Sequence, residues 1–132
     1  MDDTLQADRS NTTEQNAVDI GKLLCEHKGG DVLVMDMRKI NFWTDFFVIG
    51  TVSSSIHLSG LERHIKDFTR ERGIDILTHS AKPGAGEEWS LIDLGAIVVH
   101  LMTPRARSFY ELERLWSAAS IIYPGAAGKT PV

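Results

Sequence analysis

Hydrophobic positions along this 132-residue chain fall into two alternating rhythms. Ala17, Ile20 and Leu24 recur at helical spacing, and Thr12 and Gln15 have the separation of a capping box. A first helix is therefore predicted over residues 12–27, stopped by Gly29-Gly30. Two apolar runs follow at 32–37 and 45–51. Both are rich in strand formers and lack polar alternation, as strands covered on both faces do. Ser53-Ser54-Ser55 offers capping hydroxyls to a second helix in which Leu58, Leu61, Ile65 and Phe68 share a stripe ending at Gly73. Residues 74–77 read as a third strand and 82–86 as a loop. Trp89 to Asp93 and residues 96–102 lie so close together that they form an antiparallel hairpin turning at Leu94-Gly95. Thr103-Pro104 then opens a third helix through Trp116, with Phe109, Leu112 and Trp116 facing inward. The sum is an α/β (α+β) single domain, a mixed sheet of about five strands flanked by helices. Residues 1–11 read as a disordered lead-in, 12–123 as the domain and 124–132 as a flexible tail.

A turn at Leu94-Gly95 sets Asp93 opposite Ala96, Leu91 opposite Val98 and Trp89 opposite His100, all on one face. An exposed Trp89, an aliphatic patch and two polar groups make the mixture found at binding hot spots, and Trp89→Ala would then abolish binding without unfolding the chain. A structural reading competes: Trp89 covers the sheet and Asp93 caps the turn. Leu94 is ill suited to the left-handed conformation of a primed turn, so a bulge there would shift the register. Asp45, at the start of a strand, either caps local amides or faces a partner. On the third helix Arg107, Tyr110 and Arg114 form a polar stripe, with Arg107 and Glu111 at i,i+4, which is by default a solvated, ion-paired face.

Composition narrows the functions available. With 42% hydrophobic residues, 132 residues suffice for one core. A net charge of −4 argues against a basic phosphate-gripping face, and so against much direct nucleic-acid binding. Residues 1–30 hold six acidic and three basic side chains, leaving twelve and eleven in a nearly neutral body. The lone Cys25 reads as a packed thiol. That, with the absence of a leader pattern, points to the cytoplasm, and the longest apolar runs are far too short to cross a membrane. None of the five histidines has chelating spacing, so no metal and no cofactor is expected. Gly84-Ala85-Gly86 lacks the strand-to-helix setting and following Lys of a phosphate loop.

Three segments together resemble the Iojap, or ribosomal silencing factor, family. They are Thr44-Asp45-Phe46-Phe47-Val48-Ile49; Trp89-Ser90-Leu91-Ile92-Asp93-Leu94-Gly95 running on to Val98-Val99-His100; and Arg107-Ser108-Phe109-Tyr110-Glu111-Leu112-Glu113-Arg114-Leu115-Trp116. The chain departs from the family pattern at Ala96, where an acidic residue often stands, and in its Gly-Glu-Glu approach to Trp89. The resemblance implies a nucleotidyltransferase-like fold without catalysis. It implies a translation repressor that binds the large ribosomal subunit through its fourteenth protein and blocks association with the small subunit. The partner-binding positions it implies are Asp45, Trp89, Leu91, Asp93, His100, Arg107 and Tyr110, with Glu113 and Trp116 holding the fold. The rival is a small nucleotidyltransferase-like enzyme, which would need paired carboxylates on one strand that the sequence lacks. An uncovered apolar hairpin face would also favour a homodimer.

Overall fold

The computed structural model describes residues 2–40, 44–81, 88–111, 114 and 118–124. Its elements run α1 (Asp2–Glu26), β1 (Gly30–Asp36), β2 (Phe46–Thr51), α2 (Ser55–Arg72), β3 (Thr78–Ala81), β4 (Trp89–Asp93), β5 (Ile97–Met102), α3 (Pro104–Tyr110) and β6 (Ser120–Tyr123). The six strands form one mixed sheet in the order β3-β4-β5-β2-β1-β6. Only the central β2–β5 pair is parallel. The loop read at 82–86 lies outside the described residues.

Strand β2 is buried on both faces, as its unbroken apolar run requires. Phe46 and Val48 face a cluster built with Ala17, Ile20 and Leu24 of α1 and Leu58, Leu61 and Ile65 of α2. Phe47 and Ile49 face a second cluster with Met35, Met37, Trp89, Val98, Met102 and Ala106 of α3. The two long helices are tied to each other as well as to the sheet. Arg72 pairs with Asp19 at 3.0 Å, donates to Asn16 at 2.8 Å and stacks over Phe68. His57 accepts from the Ser53 amide at Nδ1 (3.0 Å), so its Nε2 carries the proton and donates to the His27 carbonyl at 2.8 Å. Close approach also requires a glycine. At Gly21 a Cβ would lie 2.8 Å from Val34 Cγ2, where α1 crosses β1.

Several boundaries differ from the sequence reading. Helix α1 begins at Asp2 rather than Thr12, since residues 2–11 contain no glycine or proline and include Leu5, Gln6, Ala7 and Arg9, all good helix formers. The third strand occupies Thr78–Ala81 rather than 74–77. Ile74 and Ile76 pack against the helix-side core and anchor the end of α2, and the ladder begins at Thr78 opposite Asp93. A sixth strand precedes Pro124, where Ile121-Ile122-Tyr123 pairs with β1. Helix α3 stops at Tyr110 because Glu111 takes a left-handed conformation (φ 46°, ψ 53°), its amide closing on the Arg107 carbonyl. Phe109 does not face inward: it is 79% exposed. Leu112, Glu113 and Trp116 lie outside the described residues.

At the end of β1, Arg38 donates to both Asp36 carboxylate oxygens at 2.9 and 2.6 Å, and its own amide donates at 3.0 Å. The same guanidinium reaches Glu14 of α1 at 3.2 Å and lies over the Phe46 ring. The Arg38 hydrogen bond holds the Asp36 carboxyl below its ordinary range. Because that pKa is depressed in the folded state, the stabilisation is present above the unfolded carboxylate value of about 4 and is lost as pH falls through the lower native value. Asp36→Asn is expected to lower stability by up to about 1 kcal/mol at pH 7. Urea titrations repeated at decreasing pH should show the difference from the unmutated chain shrinking below about pH 4. Gly21→Val is expected to cost about 1–3 kcal/mol in the same assay, since the stiff Val34 side chain cannot yield without displacing the strand.

Candidate docking face on the β4–β5 hairpin

The hairpin turns one residue later than its sequence suggests. Leu94 is buried in the helix-side core, and its amide donates to the Ile97 carbonyl at 2.8 Å, so Gly95-Ala96 forms the loop. Gly95 has φ 88°, the positive value that the first position of a II′ turn needs and that leucine would resist. Asp93 Oδ1 accepts from the Gly95 amide at 2.7 Å, a local cap of the turn. The register follows: Asp93 opposes Val98, Leu91 opposes His100 and Trp89 opposes Met102. Relative to the expected pairing this is a slip of two residues. An even slip preserves the side-chain face, so Trp89, Leu91, Asp93, Val98 and His100 still point the same way. Ala96 does not pair with Asp93; its carbonyl instead accepts from the amides of Asp45 and Phe46 at 3.0 Å each, fastening the turn to the start of β2.

That face is largely interior. Trp89 is 5% exposed and His100 4%, and Trp89 Nε1 donates to His100 Nδ1 at 3.2 Å. The His100 ring meets Phe47 edge-on at a centroid distance of 4.7 Å. Trp89 is therefore not the exposed anchor expected from its residue type. It is a core side chain whose indole N–H is satisfied by a buried imidazole. Arg107 likewise leaves the solvated stripe proposed for α3. Its guanidinium is buried and donates from Nη1 to Thr51 Oγ1 at 2.9 Å, while Glu111 pairs with Arg114 at 3.2 Å. Tyr110 closes α3, and its side chain lies outside the described residues.

Three of the predicted positions keep access to solvent: Asp45, Leu91 and Asp93 are half-buried. Leu91 borders the Trp89 cluster. The Asp45 carboxylate accepts no hydrogen bond among the described residues, so it does not cap the amides beside it. Sequence reasoning missed Leu77, which is 64% exposed beside this turn. The signal was available in the spacing: Ile74 and Ile76 occupy one side of the linker, which leaves Leu77 on the other.

Serine, histidine and a carboxylate also meet elsewhere. His79 Nε2 and Ser90 Oγ both converge on Glu62 Oε2, at 2.5 and 2.6 Å. Ser90 Oγ also lies 3.2 Å from His79 Nε2, but at 4% exposure the hydroxyl is closed to a substrate. The cluster ties α2 to the β3–β4 edge. Near the end of α1, His27 and His64 stack at 3.6 Å and line a pocket of about 250 Å³ with His57, Glu26 and Lys28. Among the described residues no three His, Cys, Asp or Glu side chains are placed to hold a metal ion, and no helix is long and apolar enough to cross a membrane.

Comparison with known proteins adds a family. The family described as "Ribosomal silencing factor during starvation" matches residues 10–130. The ribosomal silencing factor RsfS of Treponema pallidum is 34% identical over 74% of this chain and 86% of its own length, and that of Bacillus subtilis 33% over 82% and 91%. The chloroplastic Iojap protein of Zea mays is 31% identical over 92% of this chain, which spans about half (52%) of the maize protein. A crystal structure from Bacillus halodurans superposes with a TM-score of 0.64 at 30% identity, covering 80% of this chain and 94% of that one. A Chromobacterium violaceum structure gives 0.68 at 25%, covering 92% and 89%. Whatever this face binds, Trp89 supports it from beneath: Trp89→Ala is expected to lower stability by about 3–5 kcal/mol, read as a fall in the denaturation midpoint. A thermal transition unmoved by that substitution would return Trp89 to the surface.

Proposed function

Because the chain belongs to the ribosomal silencing factor (Iojap) family, we propose that it represses translation by binding the large ribosomal subunit through its fourteenth protein. Bound there, it keeps the small subunit from joining. The family match over residues 10–130 carries this reading. Two physical features support it. The folded body is nearly neutral, with twelve acidic and eleven basic side chains beyond residue 30, which favours an affinity drawn mainly from contact with protein over one drawn from phosphate neutralisation. The part of the hairpin that remains accessible, Leu91 and Asp93 together with Asp45, combines apolar and acidic groups on a rigid strand pair. Such a surface blocks by occupancy, and no bond need be made or broken. The protein acts where ribosomes assemble, in the cytoplasm.

Two measurements test the proposal. In gradients of cell extract the protein should travel with free large subunits, and a protein that stays at the top of the gradient refutes the proposal. Added to separated subunits before magnesium is raised, it should reduce the yield of full ribosomes in proportion to its occupancy of the large subunit. Undiminished reassociation at saturating occupancy would leave binding but remove silencing.

A further inference from the structure

The end of the sheet carries a side chain that the silencing reading does not use. Residues 74–77 link α2 to β3, and while Ile74 and Ile76 pack inward, Leu77 turns outward to 64% exposure. A single exposed leucine is ordinary. This one is held in place. Its amide donates to the Asp93 carbonyl at 2.8 Å, and its Cδ1 lies 3.4 Å from where a side chain on Gly95 would begin. Across the turn, the Ala96 carbonyl accepts from Asp45 and Phe46. Leu77, Asp93, Gly95 and Asp45 thus follow one another across three chain segments on a single rim. Neither carboxylate is fully hydrogen-bonded among the described residues: Asp93 uses Oδ1 on Gly95, and Asp45 accepts no hydrogen bond there, its charge acting on Arg38 across space.

We propose that this rim is a docking anchor, with Leu77 as its apolar centre, for a protein surface that carries lysine or arginine around an apolar recess. The proposal rests on the silencing reading and names the chemistry of its contact. Charge selects the occupant. RNA would bring phosphates against two carboxylates, and a second copy of this chain meeting it across a two-fold axis would bring the same two carboxylates again. A basic protein surface is attracted and oriented by them, and the leucine becomes buried on contact.

The test uses the full-length chain, labelled and titrated onto purified large subunits, with bound protein measured by sedimentation. Leu77→Ser is expected to weaken binding by about tenfold or more with the thermal transition unchanged, because the side chain is already exposed. The double substitution Asp45→Asn with Asp93→Asn keeps an amide oxygen to accept from Gly95. It should weaken binding and flatten its dependence on salt. If the unmutated chain binds and Leu77→Ser binds equally well, the rim is not the anchor and the silencing reading stands. If the unmutated chain does not bind, both fall. The rim proposal also fails if Leu77→Ser abolishes binding to protein-free large-subunit RNA, or a self-association seen by light scattering, while leaving subunit binding intact.

Discussion

The parallel pairing of β2 with β5 is the constraint on which the rest of the structure depends. These strands are far apart in sequence, and between them the chain must run through α2, β3 and β4 before β5 can lie beside β2 in register from Phe46–Ile97 to Thr51–Met102. Backbone bonds clamp the pair at both ends: the Ala96 carbonyl takes the Asp45 and Phe46 amides, and the Val52 amide donates to the Met102 carbonyl. Once the pair exists, the β4–β5 hairpin extends the sheet on one side and β1 with β6 on the other. Because β2 and β5 are buried along nearly their whole length, both faces of the centre are covered. The long helices cover one face, and α3 contributes to covering the other.

That requirement reassigns roles. Residues whose chemistry suggests recognition (a tryptophan, a histidine and an arginine) lie where the second face is sealed. A buried indole N–H needs an acceptor, and His100 Nδ1 supplies it at 3.2 Å. Arg107, brought inward by α3, finds the Thr51 hydroxyl at the end of β2. The first contact lies within the β4–β5 hairpin and the second joins α3 to β2, so both belong to one buried assembly on the second face. Of the positions marked from the sequence, Asp45, Leu91 and Asp93 are the ones left half-buried.

What could be read from the sequence divides along the same line. Elements defined by local periodicity were legible: β1, β2, α2 with its Ser54 and Gly73 caps, the hairpin and the Thr103-Pro104 helix start all lie where the pattern puts them. Features decided by contacts between distant segments were not. Residues 74–77 look like a strand because isoleucines alternate there, yet their alternation serves the packing at the end of α2. The stop at Glu111 violates the preference of non-glycine residues for negative φ and leaves no local sequence signal. The hairpin face was legible and its register was not, because Leu94 is drawn into the core and passes the turn to Gly95-Ala96. Residue type marked Trp89, His100 and Arg107 as important. Nothing local could say that all three face inward.

A sheet covered at its centre on both faces leaves a partner the half-buried positions of the hairpin, its edges and its ends. The edge strands β3 and β6 are four residues each, too short to template an extended ladder with another chain. The ends differ from each other. At the carboxyl ends of β2 and β5 the chain enters α2 and α3 through first turns in which Ser54 takes the His57 amide and Thr103 the Ala106 amide. At the opposite end the β4–β5 turn is short and rigid, and it carries carboxylates that the fold uses only in part. Rigid backbone there lowers the entropy lost on association, and side chains not engaged internally can be engaged by another surface without first breaking a bond. For a protein proposed to act by occupancy, that end combines the two properties required, a fixed shape and carboxylates not fully hydrogen-bonded among the described residues.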